Sequence, residues 1–343
     1  MVRIGIMSFA HMHAFSYAKA LGALPGVKLV GIADDDQERG QDAAHLYGTN
    51  FYPNYEALLE DDIDGVIICS ENARHAELTL AAAAHQKHVL CEKPIATNLD
   101  DAQSMISACE QAGVHLSVAF PCRFHPAAQR LKQVLDSGNL GDILAIKSTN
   151  HGKMPDGWFL DKGMAGGGAV MDHTVHVVDL IRWFFGMEIT RIYAEADTLL
   201  HDVEVEDTGL LSLEIGNRIM ATLDTSWSRP PAFPTWGDVT MEIVGTQGVT
   251  NLDLFAENIV VFGRGALTTH YESWGSDADA NLIADFVRCL EAGKKPLVSG
   301  WDGLKALEVA LAAYHSLAIQ EPVILGRKGK NPPHFNGEMN CLP

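Results

Sequence analysis

Over its first 120 residues the chain keeps one rhythm, in which short apolar runs alternate with segments of helical spacing. Strand-like runs fall at 2–7, 27–33, 65–69, 87–90 and 114–119, and helical ones at 13–24, 37–47, 73–85 and 98–112. Strands separated by helices pair in parallel through right-handed crossovers, so this part predicts an α/β, doubly wound sheet.

After about residue 120 the grammar changes. A helix over 126–137 and a strand over 142–150 lead to the run Gly166-Gly167-Gly168 and a helix over 171–185. From 189 to about 271, segments such as 209–215, 218–226 and 239–244 alternate without helices between them, and helices near 277–292 and 301–319 close the pattern. At 343 residues the chain exceeds what one core usually serves. The expectation is a Rossmann domain over 1–120 and an α+β domain over 121–326, followed by an extended tail over 327–343. The second domain should carry a large open, antiparallel-rich sheet with helices on one face.

The net charge of −19 argues against nucleic acid or an anionic membrane as partner. The longest apolar runs, such as 78–84, are too short to span a bilayer. A strand pattern begins at once around Arg3, which leaves no room for a signal peptide ahead of it. Cys69, Cys91, Cys109, Cys122, Cys289 and Cys341 form no CxxC pair, and the first two read as small buried thiols at strand ends. A reducing, cytoplasmic setting is expected.

In an open α/β sheet the ligand crevice lies outside the strands' carboxyl ends. Cys91-Glu92-Lys93-Pro94 stands at such an end. The proline fixes its own φ and pushes Lys93 towards an extended backbone, so the cation is held rigidly. The phosphate turn after the first strand, usually G-x-G-x-x-G, carries Ser8, Ala10 and His13 at the glycine positions. Ser8 and Ala10 are still small, and Ser8 can cap the helix or donate to a phosphate. Asp34 ends the second strand where the adenine ribose lies. With Asp35 and Asp36 next to it and no arginine directly after, NAD is expected over NADP. Asp35 and Asp36 also suit a helix-capping turn.

These motifs carry a resemblance. The run Val66-Ile67-Ile68-Cys69-Ser70-Glu71-Asn72-Ala73-Arg74-His75, then 87–94, Arg123-Phe124-His125-Pro126, 138–143 and the stretch 166–179 resemble the glucose-fructose oxidoreductase / inositol dehydrogenase (Gfo/Idh/MocA) family. A weaker echo at 299–304 ends the match, which spans most of 1–325. The resemblance implies NAD(P)-dependent oxidation or reduction at a secondary carbon of a sugar, polyol or related compound. It further implies a homodimer or homotetramer built through the C-terminal sheet. Cofactor contacts are implied for Ser8, Ala10, His11, Asp34, Ser70, His75, Glu92 and Lys93. Two departures stand out: the glycine fingerprint is eroded, and the family's T-P-x-x-x-H segment reads Ser70 to His75 without its proline.

On the helix over 171–185, Asp172, His176 and Asp179 share one face amid apolar neighbours. Buried polar groups need partners, and Arg182 is the expected mate of Asp179. A neutral histidine beside a carboxylate is a poised base near pH 7. The reading is therefore a dehydrogenase or reductase in which His176 takes the hydroxyl proton. Asp172 orients it or binds an adjacent hydroxyl, and Lys93 stabilises the alkoxide. Arg123, His151 and His173 complete the expected substrate contacts. Trp158, Trp227 and Trp236 could stack on a sugar face, although core is the commoner fate of tryptophan. No metal is expected: His11, His13, His173 and His176 with Asp172 would make an adequate ligand set, but neither pair has H-x-x-x-H spacing. Two other classes share the cofactor, a hydrolase or lyase with transient oxidation by NAD, and a non-catalytic NAD-binding sensor.

Overall fold

The structure is a computed structural model that describes residues 1–216, 218–261, 270–273 and 276–326. The expected tail over 327–343, with Cys341, lies outside them. Elements run β1 (Val2–Met7), α1 (His13–Ala23), β2 (Val27–Ala33), α2 (Gln37–Tyr47), β3 (Asn50–Tyr52), α3 (Tyr55–Leu59), β4 (Gly65–Ile68), α4 (His75–Ala84), β5 (His88–Cys91), α5 (Leu99–Ala112) and β6 (Leu116–Val118). Their six strands form one parallel sheet in the order β3-β2-β1-β4-β5-β6. The chain's direction of winding reverses between β1 and β4, which opens the ligand crevice at their carboxyl tips. β1, β4 and β5 are apolar and almost wholly buried because helices cover both faces. β3 and α3 were not anticipated; each is too short to show a period of its own.

The second part contains α6 (Pro126–Asp136), β7 (Ile143–Thr149), α7 (Lys162–Ala165), α8 (Ala169–Phe185), β8 (Ile189–Asp197), β9 (Thr208–Ile215), β10 (Ile219–Asp224), β11 (Thr240–Gly245) and β12 (Gly248–Asp253). The hairpin strands β13 (Asn258–Val261) and β14 (His270–Ser273) follow, then α9 (Ala278–Ala292), α10 (Gly300–Ile319) and β15 (Val323–Ile324). Seven strands make a sheet in the order β12-β11-β7-β10-β9-β8-β15. All its pairs are antiparallel except β10 with β7, so the expected antiparallel-rich sheet is present. Strands such as β9 and β10 alternate buried and exposed residues, the signature of one covered and one open face.

Helix α8 lies between the two sheets' systems, and every residue of it is buried except Arg182, Trp183 and Phe185. The triple glycine ahead of it permits that depth. A Cβ on Gly167 would strike the Tyr314 hydroxyl, and one on Gly168 would strike the Glu206 carbonyl. Only a bare backbone fits there. Glu206 then caps the helix start, accepting from the amides of Gly168 (2.9 Å) and Val170 (3.1 Å). The last two long helices tie the halves together: α9 packs on α1, and α10 packs on α8 and also on α5. Ser16 of α1 donates to Asp279 of α9 across this contact (2.6 Å).

Candidate active site

β5 delivers Lys93 to the crevice. The strand ends at Cys91, the Glu92 amide still bonds to the Ile68 carbonyl (3.0 Å), and the chain then turns. From the other half, the first turn of α8 delivers Asp172. Lys93 Nζ donates to Asp172 Oδ1 at 2.5 Å, and both side chains are nearly buried. The second oxygen, Oδ2, accepts from Trp227 Nε1 (3.3 Å) and stands 3.2 Å from His173 Nε2. His173 is fixed in turn by donating Nδ1–H to the Thr225 carbonyl (2.8 Å). Burial resists a charge on Asp172, yet Lys93 and His173 outweigh it and hold the carboxyl well below its usual range.

His176 is one turn further along α8, with Phe120 edge-on to its ring at 6.0 Å. Its Nδ1 is buried without a hydrogen-bond partner. Asp172 therefore does not orient His176, as the i, i+4 spacing suggested; its oxygens are engaged elsewhere. Burial and then the Lys93 charge push His176 well below the ordinary histidine value, so it is neutral at pH 7 and not poised near it.

Lys93, Asp172, His173, His176, His11, His13 and His151 all line one cavity of about 810 Å³ between the two halves. Phe159 and Trp236 add aromatic walls, and Trp236 is 42% exposed. The other tryptophans have different tasks: Trp227 holds Asp172, and Trp158 donates to the Ala10 carbonyl (3.1 Å) while stacking on Phe159. No short motif announces these contacts, which join residues 55 and 148 positions apart.

At the nucleotide turn Ser8 adopts φ 72°, and its hydroxyl accepts the Ala10 amide (3.1 Å), closing the turn; it does not cap α1. His11 Nδ1 accepts the His13 amide (3.2 Å), while its Nε2 is buried and unpartnered. Burial pushes His11 down to about 3, so the ring is neutral. Glu92 is wholly buried and accepts from Tyr17 (2.5 Å), His13 Nδ1 (3.0 Å) and the Lys93 amide (3.0 Å).

Asp34 accepts from the Phe9 amide (2.7 Å) and from both arms of Arg39 (2.6 and 2.9 Å). Arg39 is the arginine that sequence inspection passed over, because it returns to the strand tip from the first turn of α2. Arg74 likewise pairs with Asp35, while Asp36 caps α2. Ser70 and His75 are fully buried behind the crevice, and His75 sits between the Pro94 (2.9 Å) and Ser70 (3.3 Å) carbonyls.

Arg123, expected at the substrate, lies outside the cavity lining. Its guanidinium holds Asp179 (2.5 and 2.7 Å) and Asp302 (3.1 Å). Arg182, the expected mate of Asp179, instead binds Glu188 (2.7 Å) and Asp302 (3.0 Å). His151 has both ring nitrogens engaged, by Asp224 (3.1 Å) and Asp238 (2.9 Å), with Arg229 closing the cluster.

Residues 2–120 match the profile of an oxidoreductase family with an NAD-binding Rossmann fold, and 128–251 match the GFO/IDH/MocA C-terminal domain. The chain is 30% identical over 291 residues to D-xylose 1-dehydrogenase (NADP(+)) 2 of Haloferax volcanii, covering 83% of this chain and 88% of that protein. Over 338 residues it is 28% identical to myo-inositol 2-dehydrogenase of Thermotoga maritima, covering 94% and 98%. In fold it is similar to GenD2 from gentamicin A biosynthesis, with a TM-score of 0.88 at 24% identity over 95% of this chain and 96% of that one.

The His151 cluster makes a stability prediction. Burial opposes its charge, but hydrogen bonds to Asp224 and Asp238 prevail and push His151 up to about 9. A raised histidine contributes stability that is complete below its unfolded value near 6.5 and fades as pH climbs towards 9; a shift of that size is worth up to about 3 kcal/mol. Melting temperature should fall between pH 6.5 and 9. His151→Gln should flatten that slope in a melting series; an unchanged slope would remove His151 from the account.

Proposed function

This chain belongs to the Gfo/Idh/MocA oxidoreductase family, and on that premise we propose that it moves a hydride between NAD and a secondary carbinol of a sugar, polyol or inositol-like substrate. The observation that supports this most is the Lys93–Asp172 pair, held at 2.5 Å inside a cavity that His176 also lines. Three features of the chain fit a bound dinucleotide: the crevice between β1 and β4, the closed turn at Ser8, and the Asp34 carboxylate at the tip of β2. When bound, the nicotinamide ring supplies the hydride acceptor or donor.

The chain's own residues have the remaining work of binding and proton handling. Lys93 donates to the reacting oxygen and stabilises alkoxide charge as it develops. Asp172 holds the ammonium on its bearing. His176, already neutral, takes the hydroxyl proton in oxidation and returns it in reduction. Trp236 and Phe159 offer apolar faces to the substrate, and His151 and His173 line the same space. Glu92 and His75 act from behind, setting the positions of Lys93 and Pro94. Contacts from Ser8, Ala10, His11 and Ser70 to the dinucleotide belong to the same reading. So do domains bounded near 120 and an assembly through the open sheet face, where Leu210, Met220 and Val249 are more than half exposed. Light scattering tests the assembly; a monomer would discard it.

Three outcomes are expected. His176→Gln should lose about a hundred- to ten-thousandfold in turnover with its fold intact. The wild-type acid limb of the pH–rate profile should lie below pH 6.5, the ordinary histidine value. Wild-type rates in that variant would exclude His176 as the base. NAD should bind roughly tenfold or more tighter than NADP, because Arg39 and Arg74 are engaged by Asp34 and Asp35. Equal or tighter NADP binding in a titration of the apo-protein would show that the arginines change partners.

A further inference from the structure

The phosphate turn of this chain has no glycine at residues 8–13 and carries two histidines, His11 and His13. The fold sets Glu92, at the end of β5, directly opposite them. One donor atom from each of the three lies within 4.8 Å of the others. Two ligands of a tetrahedral zinc are roughly 3.4 Å apart, so a small inward rotation closes the set. We propose that His11, His13 and Glu92 bind one divalent transition-metal ion of the zinc class at the inner wall of the active-site cavity.

Four observations carry this. His11 Nε2 is buried and has no hydrogen-bond partner; the nearest acceptor, Glu92 Oε2, is 4.0 Å away. A neutral imidazole does not stay orphaned at such depth without cost, about 1–3 kcal/mol for a buried polar group. Second, Glu92 is held as metal-ligating carboxylates are, by donors behind it: the Tyr17 hydroxyl (2.5 Å) and the Lys93 amide (3.0 Å). Third, the Phe159 ring stands edge-on to the His11 ring at 5.3 Å, and His11 and His13 line the cavity, so an ion has a way in. Fourth, two imidazoles and one carboxylate suit zinc or a neighbouring first-row ion; magnesium and calcium prefer all-oxygen sets. Three protein ligands leave a position open.

Binding at Nε2 moves the His11 proton to Nδ1 and gives up the 3.2 Å contact from the His13 amide, and the 3.0 Å bond between His13 and Glu92 gives way as both turn to the ion: two hydrogen bonds against three metal–ligand bonds. Of the wider set His11, His13, His173, His176 and Asp172, which all line the cavity, His173 and Asp172 have other partners, and Glu92 supplies the carboxylate. The proposal goes beyond the hydride-transfer reading and does not depend on it.

The test uses full-length protein stripped with EDTA, without NAD, titrated with zinc chloride in a calorimeter, with bound metal then measured by mass spectrometry. One zinc per chain is expected, weakened at least about tenfold in both His11→Ala and His13→Ala. Glu92 is fully buried, so the half-buried His13 gives the variant that keeps its fold. No stoichiometric zinc in the wild type, or wild-type affinity in either folded variant, would overturn the proposal.

Discussion

One ion pair joins the two halves at the point where chemistry is expected. Lys93 ends a strand of the parallel sheet, Asp172 begins the helix that leads into the second sheet, and 79 residues separate them in sequence. Taking both charges out of water costs several kcal/mol per ion, and attraction repays that only in good geometry with the remaining valences filled. On the carboxylate side that condition is met, because Trp227 donates to the second oxygen of Asp172 and His173 stands beside it. The pair is therefore weak evidence for stability and strong evidence for positioning. It fixes where a cation meets whatever enters the cavity.

Around that pair the buried charges sort into two groups. Asp172 is kept ionised by its cationic partner, while His176 is kept neutral first by burial and then by the same lysine. The ammonium thus pushes neighbouring groups of one helix in opposite senses, and burial adds to its effect on the histidine. Deeper in, Arg123 binds Asp179 and Asp302, and Arg182 joins Asp302 from the other side. This second network ties α8, which presents Asp172 and His176, to the start of α10.

The fold was legible because it follows from local patterning. β1, β2 and α2 have the bounds expected. The site was legible where one element carries it, as with Lys93 at a strand tip or Asp172 and His176 on a helix face. It was not legible where partners come from afar. Asp179 takes Arg123, 56 residues away, and not Arg182 three residues on, whose guanidinium is engaged by Glu188 and Asp302. Arg39 reaches Asp34 only because α2 begins with a turn that Asp36 caps. The burial that keeps His176 neutral depends on how α8 sits between the halves, which no residue of α8 states.

The most direct measurement of this account is a double-mutant cycle on kcat/KM with Lys93→Met, Asp172→Asn and the pair, using a polyol substrate and NAD. If the two act as one unit, each single change costs about a hundred- to a thousandfold and the double variant is little worse than the poorer single. Losses that multiply would mean that lysine and aspartate work independently, and the ion pair would then not be what organises the site.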